Sequence, residues 1–131
     1  MPNRSWDWLK QAEHDLKQAE LSEHSDNHDW ACIASHQAAG KAVKALHQKL
    51  GQDAWGHSVY DLLKDLSDEI PVPNDLHDKA KVLDGYYIPP RYPNSHPEGA
   101  PFEYYGTIQS DMALKYAGEI LKFARSQMAQ G

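Results

Sequence analysis

The sequence has very little cysteine: one residue, Cys32, in 131. A single cysteine permits no internal disulfide and no cysteine-based zinc site. Cys32 stands within an apolar run of helical spacing, which predicts a small buried side chain rather than a nucleophile.

Long apolar runs and excess positive charge are also lacking. Apolar residues make up 40% of the chain, but they recur at regular spacings and form no block of membrane-spanning length. The segment Met1–Lys10 lacks the basic-then-apolar order of a signal peptide, so we expect a soluble cytoplasmic protein without a membrane partner. The net charge of −6 argues against indiscriminate binding of nucleic acid, so any contact with a polyanion must be local.

The sequence shows helical periodicity and no convincing strand alternation. We predict an all-α fold, an antiparallel up-and-down bundle of four main helices plus one short helix, as a single domain over residues 1–131. The first predicted helix runs over Ser5–His24, and the second from a cap at Ser25–Asn27 to Gly51. The short third helix has its apolar stripe from Val59 to Leu66 and ends before Pro71. The fourth runs from Pro73 or Asn74 to the Pro89–Pro90 pair, and the fifth from Thr107 or Ser110 to Met128.

Several side chains receive individual predictions from this periodicity. Trp30, Tyr87 and Met112 fall on the apolar stripes of the second, fourth and fifth helices. Ser58 or His57 is expected to cap the third helix, with His57 otherwise packing beneath it. The remaining helical histidines are predicted to lie at helix surfaces or edges: His14, His36, His47 and His77.

The segment Tyr86–Tyr105, here called the Pro/Tyr loop, has an unusual composition. It holds five of the eight prolines and five of the seven tyrosines of the chain. Prolines lower the entropy of the unfolded segment, and aromatic rings supply apolar area that holds a loop against a bundle. A long ordered loop in a compact domain is usually functional, so we predict the functional residues here.

Within the Pro/Tyr loop, Arg91 and His96 stand five positions apart, at most about 17 Å even in an extended chain. Arginine binds phosphate through two parallel hydrogen bonds, and histidine exchanges a proton near neutral pH. Together they suit phosphate chemistry without a metal. The alternative is that Arg91 pairs with Glu98 or Glu103 and that His96 is a solvated loop residue.

A set of motifs over nearly the whole chain resembles the HEPN domain family. These are, in order, Asp29-Trp30-Ala31-Cys32, Gln37-Ala38-Ala39, Lys41-Ala42-Val43-Lys44-Ala45-Leu46, Trp55-Gly56-His57-Ser58, Leu83-Asp84-Gly85-Tyr86-Tyr87-Ile88-Pro89 and Arg91-Tyr92-Pro93. The resemblance implies a helical bundle, a homodimer, and pairing with a minimal nucleotidyltransferase as toxin and antitoxin.

The resemblance also implies a metal-independent ribonuclease without cofactors, in which Arg91 and His96 are catalytic and line a cleft between protomers. In a symmetric dimer the two His96 side chains would serve as base and acid, and the two Arg91 side chains as a cationic clamp. Tyr92, Asn94, Ser95 and Tyr86 are further candidates for binding RNA or a nucleotide, by stacking or hydrogen bonding; their alternative roles are packing and turn formation.

One other functional interpretation has equal support, and a further one is disfavoured. Tyr92 follows Arg91 where ribonucleases of this kind usually carry a polar residue, so the protein is alternatively a non-catalytic module that binds a nucleotide or docks a nucleotidyltransferase. A metal site at His24 and His28 is disfavoured because the turn residues between them interrupt the helix.

Gly40 departs from the family pattern. The resemblance implies a glutamate at this position of the second helix.

Overall fold

The computed structural model describes residues 3–130, which form five α-helices and no strand. The helices are α1 (Ser5–His24), α2 (His28–Lys49), α3 (Val59–Leu66), α4 (Asn74–Asp84) and α5 (Thr107–Met128). This confirms the predicted bundle of four main helices with one short helix. No helix among these residues is both long and apolar enough to cross a membrane.

Helix α2 lies at the centre of the bundle. It packs along α1 on one side and along α5 on another, while α3 and α4 pair with each other and also contact α2. Its alanines at Ala38, Ala42 and Ala45 are fully buried, which lets the neighbouring helices approach closely. The three residues between α1 and α2 are too few for any arrangement but an antiparallel neighbour pair.

Helix α4 ends earlier than predicted. It stops at Asp84, and the N–H groups of Gly85 and Tyr86 bond to carbonyl oxygens only three residues back, which tightens and closes the last turn. The prediction that Tyr87 belongs to the apolar stripe of this helix is therefore wrong. Tyr87 lies in the Pro/Tyr loop instead, where its ring is only partly buried.

Two other predicted core side chains face solvent. Trp30 is 57% exposed and lies on the rim of an open groove between α1 and α2, and Met112 is exposed on the first turns of α5. Both stand near the ends of their helices. Periodicity identifies the correct face of a helix, but it does not say where the neighbouring helix ends.

The predicted surface positions of His36 and His47 are also wrong, because both side chains are buried. The Nε2 atom of His47 lies 2.9 Å from the carbonyl oxygen of Leu62, and its Nδ1 atom lies 3.0 Å from Oε1 of Gln52. A buried polar group is tolerated when it is hydrogen-bonded. His47 therefore connects α2 to α3 through a hydrogen bond in the interior of the bundle.

Candidate functional site

The turn before α3 and the end of α4 are held together by one carboxylate. Asp84 accepts hydrogen bonds from the backbone N–H groups of Val59 (2.7 Å) and Tyr60 (3.1 Å) and from the Ser58 hydroxyl (3.1 Å). The Nε2 atom of His36 lies 3.2 Å from the same carboxylate. Asp84 thereby supplies an acceptor to the free N–H groups that every helix has at its N-terminus.

Partial burial alone would raise the pKa of the Asp84 carboxyl. The hydrogen bonds from His36 and from the N–H groups of Tyr60 and Val59 outweigh that effect and lower the pKa below its ordinary value. Asp84 is therefore an ionised structural anchor rather than a proton donor. The Ser58 hydroxyl also accepts from the Asp61 N–H, which confirms Ser58 as the cap of α3.

His57 does not cap α3 but packs against the Pro/Tyr loop. Its ring stacks on that of Tyr87, with centroids 4.4 Å apart and planes inclined by 18°. Its backbone carbonyl oxygen lies 2.9 Å from Nε2 of His36. Because that carbonyl only accepts, the Nε2 atom of His36 carries the hydrogen. The α2–α3 turn and the start of the Pro/Tyr loop therefore form one connected surface.

Arg91 lies on this surface. Its guanidinium carbon is 5.1 Å from the centre of the Tyr87 ring, within the range of a cation–π contact. Within residues 3–130 Arg91 forms no ion pair, and its buried Nε atom has no hydrogen-bond partner. The predicted alternative of pairing with Glu98 or Glu103 is therefore wrong. The side chain retains its capacity to bind an anion.

His96 folds back onto the turn that carries Arg91. Its Nε2 atom donates to the carbonyl oxygen of Pro89 at 2.8 Å, and its ring stacks on Tyr104 with centroids 4.2 Å apart. His96 is partly buried by these contacts, so the alternative of a merely solvated loop residue is wrong. Since Nε2 carries the hydrogen, the Nδ1 atom of the neutral ring is left as a proton acceptor.

The remaining predicted binding residues fall into two groups. Tyr92, Asn94 and Ser95 are exposed, the last two within a 3₁₀ turn at Pro93–Ser95, so their side chains are accessible to a ligand. Tyr86 is half-buried and packs edge-on against Tyr105, and burial raises the pKa of its phenol to about 12. Tyr86 therefore serves mainly to hold the loop against the bundle.

The structure orders the whole Pro/Tyr loop. A second 3₁₀ turn at Pro101–Tyr104 begins with the Glu103 carboxylate accepting from the Ala100 N–H at 2.9 Å, and the Tyr104 hydroxyl donates to the Glu98 carbonyl. Glu103 is thus occupied within its own turn and is not a partner for Arg91.

Neither Cys32 nor the pair His24 and His28 forms a site. Cys32 is fully buried, and burial raises the pKa of its thiol to about 12, so it is not a nucleophile. His24 and His28 are separated by the turn between α1 and α2, and Nδ1 of His28 lies 2.8 Å from the Ser110 hydroxyl. In the part of the chain that the structure describes, no cluster of three potential metal ligands occurs.

The structural roles of Asp84, His36 and Tyr87 were not predicted from the sequence. One signal was available for Asp84. An acidic residue at the last position of a helix is unfavourable next to the negative end of the helix dipole, so its presence there indicates another partner. Nothing in the periodicity of α2 distinguishes His36 from an edge histidine.

The fold and the loop together define a small helical-bundle protein that presents an arginine and a histidine between its last two helices. The chain belongs to the HEPN family: the family model described as HEPN domain matches residues 5–127.

Three solved structures are similar over nearly their whole length. TT1696 from Thermus thermophilus is 48% identical with a TM-score of 0.93, covering 95% of this chain and 98% of that one. ST0689, an archaeal HEPN homologue, is 39% identical with a TM-score of 0.82, covering 96% and 98%. An HEPN domain protein (TM0613) from Thermotoga maritima is 34% identical with a TM-score of 0.78, covering 95% and 99%. No curated protein matches the chain.

Proposed function

We propose that this HEPN protein is a cytoplasmic, metal-independent endoribonuclease that acts as a homodimer, with Arg91 and His96 of both protomers facing one cleft. The observation that carries the proposal is the state of Arg91: a guanidinium held over Tyr87, with a buried Nε atom that lacks an acceptor and no carboxylate within ion-pair distance among the described residues. An RNA phosphate supplies the countercharge, and it accepts from the terminal N–H groups of the guanidinium rather than from the buried Nε atom.

The contacts of His96 are compatible with proton transfer. Its Nε2–H is fixed on the Pro89 carbonyl, so Nδ1 is the atom that takes the proton from a ribose 2′-hydroxyl. The 2′-oxygen then attacks the adjacent phosphorus and the bond to the 5′-oxygen breaks. The protonated His96 of the second protomer donates a proton to that leaving oxygen, and a 2′,3′-cyclic phosphate results. Both Arg91 side chains stabilise the negative charge that builds up on phosphorus.

The test is cleavage of single-stranded RNA in EDTA by purified dimer. Arg91→Ala and His96→Ala are compared with wild type and with two matched controls, Arg125→Ala and His14→Ala, whose side chains are exposed on helices outside the Pro/Tyr loop. We expect each loop variant to lose at least about 100-fold in rate, and the controls to retain wild-type activity. Absence of cleavage by folded, dimeric wild type, or cleavage that survives in both loop variants, contradicts the proposal.

The second candidate is a non-catalytic module that binds a nucleotide or docks a small nucleotidyltransferase. The contacts of His96 with Pro89 and Tyr104 favour it, because they give this histidine a structural role that requires no catalysis. The exposed side chains of Ile88 and Tyr92 provide apolar area for a partner.

Co-purification tests the second candidate. A nucleotidyltransferase encoded beside this protein should form a stable complex with it, and Tyr92→Ala should weaken that complex while leaving the HEPN protein folded. A toxin and antitoxin pair adds a further requirement: the ribonuclease activity should fall when the partner is present. RNA cleavage that depends on Arg91 and His96 excludes a purely non-catalytic role.

A further inference from the structure

Trp55 is the most exposed large hydrophobic side chain among the described residues. It lies in the turn between α2 and α3 and is 85% exposed. Scattered exposed apolar residues are common on protein surfaces, but an indole carries a large apolar area that is usually at least partly covered. If the turn is ordered, the indole is held in solvent by the fold, which indicates that it contacts another molecule.

The turn that carries Trp55 is held at several points. His57, two residues further on, has its carbonyl oxygen bonded to His36, which is itself 2% exposed. Ser58 and Val59 are both bonded to the Asp84 carboxylate. The backbone that follows Trp55 is thus fixed to α2 and α4, so the indole is displayed from an ordered segment rather than from a loose one.

Trp55 lies two residues before His57, which belongs to the surface of the proposed phosphate site. The ring of His57 stacks on Tyr87, and the Arg91 guanidinium lies over that same tyrosine. The backbone distance from Trp55 to His57 is at most about 7 Å, since two residues span no more than that. The exposed indole therefore starts from a backbone position within about 7 Å of His57, whose ring stacks on the tyrosine that also contacts the cation lacking a carboxylate partner.

We propose that Trp55, together with the His57–Tyr87 stack, forms a base-stacking platform for single-stranded RNA whose phosphate is bound by Arg91. The inference rests on the proposed function and names how that site holds its substrate. Aromatic rings bind unpaired bases of any sequence, whereas the bases of a duplex are already stacked on each other. Such a platform suits a chain with a net charge of −6, because stacking adds affinity without adding positive charge.

Binding is measured with a fluorescently labelled ten-nucleotide RNA that carries 2′-O-methyl groups, which block cleavage and leave the bases and phosphates intact. The full chain is compared with Trp55→Ala, with Trp55→Phe, and with the controls Trp30→Ala and Trp30→Phe. Trp30 is 57% exposed on α2 at the α1–α2 groove. Arg91→Ala reports phosphate binding, and light scattering reports the oligomeric state of each variant.

We expect Trp55→Ala to weaken binding roughly 5- to 150-fold, which corresponds to the loss of one stacked base. Trp55→Phe should restore part of the affinity, and Trp30→Ala should bind as wild type does. Quenching of tryptophan fluorescence by the RNA should be lost in Trp55→Phe and retained in Trp30→Phe.

Three results overturn the inference, and they are distinguishable. If Arg91→Ala loses binding and Trp55→Ala does not, the platform is wrong and the proposed function stands. If folded wild type binds no RNA, the proposed function is wrong and the platform fails with it. If Trp55→Ala converts a dimer into a monomer and leaves the RNA affinity per protomer unchanged, the indole belongs to a protein interface.

Discussion

The imidazole of His96 donates from Nε2 to the carbonyl oxygen of Pro89 at 2.8 Å, which closes this segment of the Pro/Tyr loop around Arg91. The same ring stacks on Tyr104. His96 thus holds the loop in shape, in addition to the catalytic role that we propose for its Nδ1 atom. Its replacement has two effects, and these are separable by measuring loop order independently of activity.

We predict that His96→Ala loosens the Pro/Tyr loop. The variant loses a hydrogen bond with a net value of about 0.5–1.5 kcal/mol and a stacked contact of similar size. Limited proteolysis and amide exchange should become faster within the loop while α1, α2 and α5 stay protected. Asn94→Ala is the control, because Asn94 is exposed in the same loop. Equal proteolysis of the two variants would show that His96 does not hold the loop.

Asp84→Asn should destabilise the protein at neutral pH by about 2–3 kcal/mol, because an amide replaces a carboxylate that accepts from two backbone N–H groups. The folded-state pKa of Asp84 is lowered, so its contribution to stability is present above the unfolded value of about 3.9 and is lost as pH falls through the folded pKa. The stability difference between wild type and variant should therefore shrink in acid.

The measurement for Asp84 is urea denaturation followed by circular dichroism from about pH 7 down to about pH 3, the range that reaches below the unfolded pKa. Asp53→Asn serves as the control, since Asp53 is exposed in the connection between α2 and α3. It should change the free energy of unfolding by less than about 0.5 kcal/mol at any of these pH values. A constant difference between wild type and Asp84→Asn over the whole range would contradict the assigned role of the charge.

Two glycines should respond in opposite ways to alanine. Gly40 lies inside α2, and an added Cβ would be 3.8 Å from Val59, which is ordinary contact. Gly40→Ala should raise the free energy of unfolding by about 0.5–1 kcal/mol, since glycine in a helix is disfavoured by entropy. Gly99 in the Pro/Tyr loop has a φ of +80°, a backbone conformation that alanine rarely adopts. Gly99→Ala should therefore lower the free energy of unfolding. Thermal denaturation of both variants checks the signs.

The bundle was predictable because its helices bury regular apolar stripes and end at local signals. The bounds of α1 were correct to the residue, α3 starts at the predicted Val59, and Ser58 was one of the two residues expected to cap α3 from their position alone. The end of α4 was predicted too late in the sequence, because Asp84 is bonded to the start of α3, which is distant in sequence. Contacts between residues far apart in sequence leave no trace in helical periodicity.

In the candidate site, too, some features were predicted from the sequence and others depend on long-range contacts. Composition singled out the Pro/Tyr loop, and the family resemblance pointed to Arg91 and His96 within it, but neither gave a reason to place Tyr87 under the guanidinium or His57 on the tyrosine. The contact between His57 and Tyr87 joins two segments that only the folded bundle brings together. The burial of His36 was also unpredictable from local sequence, since its hydrogen-bond partners come from the α2–α3 turn and from α4. Residue type predicted the kind of chemistry, but only the folded structure shows which side chains contact Arg91 and His36.

The last prediction concerns the end of α5. The Nζ atom of Lys49 donates to the carbonyl oxygens of Gln127 at 2.6 Å and Met128 at 3.2 Å, and also to that of Gln130. The last carbonyl groups of a helix lack partners within the helix, and a positive charge there is favoured by the helix dipole. Lys49→Met keeps the aliphatic stem but removes the ammonium group. We expect it to lower the free energy of unfolding by about 1–2 kcal/mol.

Urea denaturation measures the effect of Lys49→Met, and amide exchange locates it. Exchange should speed up in the last turn of α5 more than in its first turns, because only the C-terminal carbonyl groups lose their partner. Lys115→Met is the matched control, since Lys115 is exposed in the middle of α5. If both variants are equally stable, the ammonium group of Lys49 contributes no more than that of an exposed lysine, and α5 ends without help from α2.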